Sequence, residues 1–150
     1  MEKYYIAYGS NLNTMQMAFR CPGARVVGTA WIEGYQLLFK GSKTGSYLTI
    51  EKAEGSKVPV GVWEVGIQDE KNLDRYEGYP SFYYKKEMRL LVRSVKTGKE
   101  SERDCFAYIM HEERPHGIPT DYYMATCIEG YLDFGFDTEY LKQAKHISFK

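Results

Sequence analysis

The sequence predicts an α+β domain, a small mixed but mostly antiparallel β-barrel with α-helices packed outside it. Strand-like segments dominate the middle of the chain, whereas helical patterns are concentrated near its end. Five or six mostly antiparallel strands in 150 residues favour a closed or nearly closed barrel, because closure removes exposed strand edges. One hydrophobic core is sufficient at this length, so we expect residues 1–150 to form a single domain.

The N-terminal segment predicts a strand, a tight turn and a short helix. Residues 4–8 form a nearly continuous apolar and aromatic run, as expected of a strand covered on both faces. Gly9 permits a tight turn after this strand. Asn11 or Asn13 can cap a helix that runs to about Phe19, and the Cys-Pro-Gly sequence that follows is expected to end it.

The middle of the chain alternates strand patterns with turns. Aromatic and β-branched residues predict strands at residues 31–39, 47–51, 58–65, 83–95 and 104–110. We expect a turn over residues 41–45 and a polar loop over residues 52–57 between the first three strands. Thr97-Gly98 indicates a hairpin turn between the last two.

Two further helices are predicted where a capping residue precedes the helical segment, at residues 70–76 and at 122 to about 133, and one more helix is expected at residues 138–146. Asp69 is a plausible N-cap for the first of these helices, and Gly78 suits its C-terminal end. Thr120 or Asp121 caps the second. The prolines and the glycine between residues 111 and 119 predict a loop before it.

Composition excludes several classes of protein. Lys plus Arg and Asp plus Glu both total 20, and this balance argues against a nucleic-acid-binding protein. The sequence has no apolar run long enough to span a membrane and no signal-peptide pattern, so we expect a soluble cytoplasmic protein without a membrane partner. The three cysteines lack CxxC spacing and are expected to be reduced, buried thiols: Cys21, Cys105 and Cys127. A homodimer is left open.

The first candidate functional segment is Tyr8-Gly9-Ser10-Asn11, where the first strand is predicted to lead into a helix. Glycine allows close approach to the backbone there, and the first N–H groups of a helix have no partner within it. Such N–H groups, together with the helix dipole, can bind a carboxylate or a phosphate. Ordinary helix capping by Ser10 and Asn11 is the alternative explanation.

The second candidate is Glu77, which lies between Tyr76 and Tyr79 at the end of a predicted helix. Partial desolvation by the two rings would raise the pKa of this carboxyl group towards that of an effective general base. A helix C-terminus disfavours a carboxylate, so its presence there favours a function. The alternative is a surface carboxylate paired with Arg75 or Lys71.

The histidines at positions 111 and 116 do not predict a metal site. Their spacing in a proline-containing loop differs from the i, i+4 arrangement of helical metal ligands. The chain also lacks the Walker phosphate-binding signature and the GxSxG nucleophile motif. We therefore expect neither a metal nor a cofactor.

Taken together, the two candidate segments resemble the γ-glutamylcyclotransferase family, which includes the AIG2-like proteins. The resemblance is carried by Tyr8-Gly9-Ser10-Asn11-Leu12 and by Leu73-Asp74-x-x-Glu77-Gly78, in this order, with strand-rich sequence between them. Pro80-Ser81-Phe82-Tyr83 follows the glutamate and adds to the match, which extends from Tyr4 to about Gly130.

The resemblance implies an enzyme that cyclises a γ-glutamyl amide to 5-oxoproline and releases an amino acid or an amine. It also implies that Glu77 is the general acid/base and that no metal, cofactor or covalent nucleophile takes part. The fold implied is a small mixed barrel with helices outside, in agreement with the element pattern. The expected partner is a small-molecule γ-glutamyl substrate.

The resemblance also implies the substrate-binding residues. The loop from Tyr8 to Asn11 is expected to bind substrate, together with two tyrosines further along the chain. Tyr83 is the best match for the first tyrosine, and its neighbour Tyr84 is left open. Tyr122 matches the second, with the adjacent Tyr123 as the alternative.

Two alternatives to a γ-glutamylcyclotransferase acting on amino-acid derivatives are left open. The same catalytic centre would serve for γ-glutamyl amines, such as isopeptide fragments or biosynthetic intermediates. A non-catalytic protein of the same fold that binds a small acid is the other, although a glutamate at position 77 speaks against it.

Overall fold

The computed structural model describes residues 2–43 and 45–149, and its centre is a closed β-barrel. The strands are β1 (Lys3–Ala7), β2 (Arg25–Lys40), β3 (Tyr47–Val65), β4 (Tyr83–Ser94) and β5 (Glu100–Met110). They are arranged in the order β1-β3-β2-β4-β5, and β5 pairs with β1 to close the barrel. The β1–β5 pairing is parallel and the others are antiparallel, so the prediction of a mixed, mostly antiparallel barrel is confirmed.

Helices lie outside the barrel, as predicted: α1 (Thr14–Arg20), α2 (Ile67–Glu77), α3 (Asp121–Phe134) and α4 (Glu139–Phe149). A short 3₁₀ turn, Ser10–Leu12, connects β1 to α1. The side chain of Asn13 caps α1 by accepting a hydrogen bond from the N–H of Gln16, and Thr120 caps α3 in the same way. Within the described residues, no helix is long and apolar enough to cross a membrane.

The polar segment 52–57, which was predicted to be a loop, is instead part of the long strand β3. The pairing of β3 with β2 shifts from Glu33 opposite Lys57 to Tyr35 opposite Lys52, and the extra residues form a bulge. These residues extend a ribbon that is largely exposed to solvent, so their polarity resembles that of a loop. Polarity alone therefore gave the wrong element here.

Asp69 does not cap α2, and this prediction was wrong. The helix begins three residues earlier than predicted, and Gly66 occupies the N-cap position without a side-chain hydrogen bond. The buried Asp69 carboxylate instead accepts a hydrogen bond of 3.3 Å from the N–H of Gly23, just beyond α1. It thus connects two helices, a tertiary role that the local sequence does not indicate. Gly78 ends α2 in the left-handed conformation, as predicted.

The contact between α3 and the 3₁₀ turn holds the β1–α1 connection in place. Gly130 of α3 lies so close to this turn that a Cβ atom there would be 2.6 Å from the backbone nitrogen of Asn13. Nearby, Tyr131 is fully buried and donates a hydrogen bond of 3.0 Å to the carbonyl oxygen of Tyr8. A large core cluster fills the barrel, and all three cysteines are free and buried.

Candidate active site

The two segments singled out in the sequence meet at one end of the barrel. An inner cavity of about 30 Å³ and an outer cavity of about 350 Å³ adjoin there, and both are lined by Ser10, Glu77, Tyr83 and Tyr123. Tyr8, Gly9 and Asn11 line the inner cavity. The Ser10 and Tyr76 hydroxyl groups are 3.1 Å apart and join the β1–α1 connection directly to the end of α2.

Glu77 reaches this position because α2 ends there. Gly78 adopts a left-handed conformation with φ of 65°, and its N–H donates back to the carbonyl oxygen of Arg75. The N–H of Tyr79 donates to the carbonyl oxygen of Asp74 at 2.9 Å, which completes the C-cap. The last residue of the helix is thereby held beside both cavities rather than on a frayed end.

The surroundings of Glu77 favour its neutral form. Burial raises the pKa of this carboxyl group to about 8, and the nearby Arg20 guanidinium partly opposes this shift. No hydrogen bond from the described residues stabilises the carboxylate. The group is therefore available to a ligand and exchanges a proton close to neutral pH.

The connection between β1 and α1 offers backbone donors to the inner cavity. Leu12 and Asn13 donate to the carbonyl oxygens of Gly9 and Ser10, each at 3.0 Å. Within the described residues, by contrast, the N–H groups of Gly9, Ser10 and Asn11 have no hydrogen-bond acceptor. The three residues line the inner cavity together with Glu77. Unpaired backbone N–H donors beside a cavity are what an anion-binding segment requires.

The Asn11 side chain helps to hold the site together. Its amide nitrogen donates to the Tyr5 hydroxyl at 2.8 Å, and its side-chain oxygen accepts from Arg20. The indole N–H of Trp63 donates to the backbone carbonyl oxygen of Asn11 at 3.1 Å. Asn11 lines the inner cavity, and the amide nitrogen and oxygen of its side chain each have one protein partner.

Of the two adjacent tyrosines at each predicted position, one lies in the cavity. Tyr83 lines both cavities and donates a hydrogen bond of 2.8 Å to the Leu48 carbonyl oxygen, whereas the Tyr84 hydroxyl donates to Glu112 outside them. Tyr122, which the sequence favoured, is 75% exposed and lines neither cavity. The adjacent Tyr123, the alternative, lines both cavities.

Tyr123 is held in place by contacts with β3 and with the β1–α1 connection. The Leu48 N–H donates a hydrogen bond of 3.1 Å to its hydroxyl oxygen. A Cβ atom at Gly9 would lie 3.3 Å from the same hydroxyl oxygen. Glycine at position 9 thus allows the backbone to approach Tyr123 closely.

Sequence reasoning missed Arg20, which organises one side of the site. Its guanidinium lies 3.4 Å from the centre of the Tyr76 ring and donates to the side-chain oxygens of Asn11 and Gln16. Sequence reasoning also missed Tyr5 and Tyr108 in the wall of the inner cavity. The high tyrosine content, 14 residues, predicted a polar cavity but not which tyrosines form it.

Among the residues that the structure describes, no three His, Cys, Asp or Glu side chains are grouped so that they could hold a metal ion. A ring nitrogen of His111 lies 2.8 Å from the carbonyl oxygen of Pro80, and His116 forms an isolated β-bridge with Lys40. Both histidines therefore have structural neighbours of their own.

Comparison with known proteins places this chain and its fold in one family. A family model described as gamma-glutamyl cyclotransferase, AIG2-like, matches residues 5–125. Proteins named gamma-glutamylcyclotransferase from Homo sapiens and Bos taurus are each 30% identical over 152 aligned positions, covering 95% of this chain and 77% of theirs. A solved structure titled gamma-glutamyl cyclotransferase is similar with a TM-score of 0.80 at 26% identity, covering 97% of this chain and 87% of that one.

The chain therefore belongs to the gamma-glutamyl cyclotransferase, AIG2-like family, as the paired motifs predicted. The expectation of an enzyme of this type is confirmed at the level of the family.

Proposed function

We propose that this protein converts a γ-glutamyl amide into 5-oxoproline and a free amine or amino acid, with Glu77 as the general acid/base. The observation that carries the proposal is the position of Glu77, whose carboxyl group adjoins the same inner cavity as the unpaired N–H groups of residues 9–11. The relatives named gamma-glutamylcyclotransferase support this activity.

The reaction needs one group that first removes and later returns a proton. The α-ammonium of the substrate cannot attack until Glu77 takes a proton from it. The resulting amine forms a C–N bond with the substrate's own γ-carbonyl carbon and closes a five-membered ring. The bond to the leaving nitrogen then breaks while Glu77 returns the proton to that nitrogen. The ring nitrogen gives up its second proton to the released amine, so that the products are the neutral lactam and an ammonium group. Such general acid–base catalysis contributes about 10²–10⁴-fold to the rate.

Holding the substrate folded is the other contribution. The attack is intramolecular, so fixing amine and carbonyl near each other can contribute on the order of 7–11 kcal/mol at best. We assign this positioning to Tyr8, Gly9, Ser10 and Asn11, with Tyr83 and Tyr123 opposite them. The free N–H groups of the loop would bind the substrate carboxylate or the oxyanion that develops on the γ-carbonyl.

The raised pKa of Glu77 suits this role. A base with a pKa of about 8 has enough affinity for a proton to take one from an ammonium group. Once the ammonium is bound beside it, attraction between the opposite charges lowers the pKa again, so the carboxylate form is present when it is needed.

The proposal is tested by incubating the protein with a panel of γ-glutamyl amino acids and γ-glutamyl amines and measuring 5-oxoproline by mass spectrometry. Substrates with an acetylated α-amine are the matched control, because they have the same shape but no nucleophile. We expect 5-oxoproline from free substrates alone. A protein that binds both forms but releases 5-oxoproline from neither would be a non-catalytic binding protein, and the proposal would be wrong.

We also propose that residues 1–150 function as a single domain in the cytoplasm. One core cluster serves the barrel and the helices packed on it, which supports a single folding unit. The three free, buried thiols support a reducing compartment.

A further inference from the structure

Arg20, the last residue of α1, contacts both segments of the candidate active site but lines neither cavity. On one side its guanidinium donates a hydrogen bond to the side-chain oxygen of Asn11, in the β1–α1 connection. On the other side it lies 3.4 Å from the centre of the ring of Tyr76, the residue that precedes Glu77. Any effect of Arg20 on the reaction would therefore pass through these neighbours.

Arg20 is itself anchored to both helices. Gln16, one turn earlier on α1, accepts a hydrogen bond of 3.1 Å from the guanidinium. The side-chain amide of Asn72 on α2 donates one of 3.1 Å to the backbone carbonyl oxygen of Arg20. Within the described residues Arg20 forms no ion pair, so no neighbouring carboxylate neutralises its charge.

The contacts of Arg20 close a ring around this side of the site. The Tyr76 hydroxyl lies 3.1 Å from the Ser10 hydroxyl, and Ser10 is joined to Asn11 by a peptide bond. The ring therefore runs from Asn11 through the guanidinium to Tyr76 and back through Ser10. Because Glu77 follows Tyr76 directly, this ring connects the backbone N–H groups of residues 9–11 to the end of α2 that carries the carboxyl group.

We propose that Arg20 is a positioning residue for the cyclisation, which holds the N–H groups of residues 9–11 and the Glu77 carboxyl group in register through Asn11 and Tyr76. This assignment rests on the proposed function and deepens it. The planar guanidinium can lie flat on a ring and donate sideways to an amide at the same time, a combination that a lysine ammonium does not offer.

The charge of Arg20 has a second effect that can be measured separately. Burial raises the pKa of Glu77 to about 8, and the charge of Arg20 holds it below the value that burial alone would give. Burial also raises the pKa of six tyrosines in the cavity walls, so their hydroxyl groups stay neutral near pH 8: Tyr5, Tyr8, Tyr76, Tyr83, Tyr108 and Tyr123. Among the described residues, Tyr47 and Arg75 complete the titratable side chains of the walls.

The test compares the wild type with Arg20→Lys, which keeps the charge, and Arg20→Gln, which removes it. Arg103→Gln is the matched control, because the exposed Arg103 guanidinium lies 5.2 Å from the centre of the Tyr4 ring and lines neither cavity. The substrate is the member of the γ-glutamyl panel that the wild type converts fastest. The readouts are kcat and KM for 5-oxoproline release across pH, the Tm, and the titration of the Glu77 carboxyl carbon followed by NMR and assigned with Glu77→Gln.

Both Arg20 variants should lower kcat by roughly 10–10²-fold with little change in KM, because a misplacement of about 1 Å can cost on the order of 10²-fold. Arg103→Gln should retain the kcat of the wild type. All proteins should remain folded at the assay temperature. If Arg20→Gln melts below that temperature, Arg20→Lys decides the question by the same criteria.

The pH dependence should distinguish the two Arg20 variants. Loss of the positive charge in Arg20→Gln raises the pKa of Glu77 further, so the rise of kcat/KM and the NMR titration should both move to higher pH, by roughly 0.5–1 unit. Arg20→Lys should titrate as the wild type does while its kcat is reduced. A purely structural role would lower the Tm without moving the titration.

A wild-type kcat in either Arg20 variant, or a loss of kcat that Arg103→Gln shares, would overturn the assignment. A kcat that falls only in proportion to the loss of stability, with an unchanged Glu77 titration in Arg20→Gln, would overturn it as well. If the wild type releases no 5-oxoproline from any compound of the panel, the proposed function itself fails. The NMR titration, which needs no turnover, then still decides whether Arg20 acts on Glu77.

Discussion

Glu77 owes its character to three local features. It is the last residue of α2, where the helix dipole disfavours negative charge, it is desolvated beside the inner cavity, and no donor from the described residues stabilises its ionised form. Only Arg20 acts in the opposite direction. A carboxyl group in such surroundings is costly to maintain unless a ligand uses it.

Replacing Glu77 with Gln keeps the shape of the side chain and removes the base. We expect 5-oxoproline release to fall by at least about 10²-fold, because the substrate ammonium then has no proton acceptor in the cavity. Circular dichroism and thermal melting should show an intact fold. Turnover close to that of the wild type would exclude Glu77 as the general acid/base.

The activity of the wild type should depend on pH through the same group. Glu77 must be ionised to act as a base, so kcat/KM should rise as the pH approaches about 8. The residual rate of Glu77→Gln serves as the control and should lack this rise. A wild-type profile that levels off near pH 5 would mean that the carboxyl group is not desolvated in solution.

Stability provides an independent check on this pKa. The pKa of Glu77 is raised from 4.5 to about 8, so the folded state holds the proton more tightly than the unfolded state does. The free energy of unfolding should therefore decrease as the pH rises from about 4.5 through about 8. Glu77→Gln removes this contribution. The Tm of the variant should therefore rise relative to that of the wild type as the pH increases over this range. Parallel Tm curves for the two proteins would argue against the shift.

The choice between Tyr122 and Tyr123 is tested by the matched pair of phenylalanine variants. Tyr123→Phe removes the hydroxyl in the cavity and should lower kcat/KM by roughly 2–10-fold, the effect of losing one hydrogen bond. Tyr122→Phe removes an exposed hydroxyl and should leave kcat/KM near the wild-type value. The opposite pattern would restore the assignment that the sequence favoured.

At the scale of elements, the site depends on how closely α3 approaches the β1–α1 connection. Gly130→Ala would place a Cβ atom 2.6 Å from the Asn13 nitrogen and 2.8 Å from the Leu12 carbonyl carbon, and backbone atoms cannot move aside easily. We expect this variant to lose about 1–3 kcal/mol of stability, as other overpacked cores do.

Chemical denaturation measures this loss, and Leu132→Ala on the exposed side of α3 is the control. An unchanged midpoint in Gly130→Ala would show that the helix can shift without cost. A loss of activity larger than the loss of stability would show that the contact also positions the loop.

Elements with a strong local pattern could be predicted from the sequence, and those set by tertiary contacts could not. The strand predicted at 83–95 and the Thr120 cap agree with the structure, because alternation and capping are local properties. The segment 52–57 was misassigned because an exposed ribbon and a loop have the same composition. Asp69 was misassigned because its partner, Gly23, is 46 positions away.

At the scale of the whole molecule, the paired motifs predicted that two distant segments meet, and the structure brings them to adjoining cavities. The other parts of the wall have no comparable signal. Tyr5 and Tyr108 reach the inner cavity because β1 and β5 are neighbours, and nothing in the sequence around either tyrosine indicates that pairing. Arg20 acts through the Asn11 amide and through the Tyr76 ring, and that ring is far from it in the sequence.

The parallel pairing of β1 with β5 also affects how the protein is made. β1 is synthesised first, but its partners on the two sides are residues 61–65 of β3 and residues 105–106 of β5. On a growing chain, the connection between β1 and α1 therefore lacks part of its support until β5 and α3 have been made. Contacts between such distant residues are slow to form, because the intervening chain must lose entropy first. A nascent chain that stops before β5 would carry both catalytic motifs and still have no site.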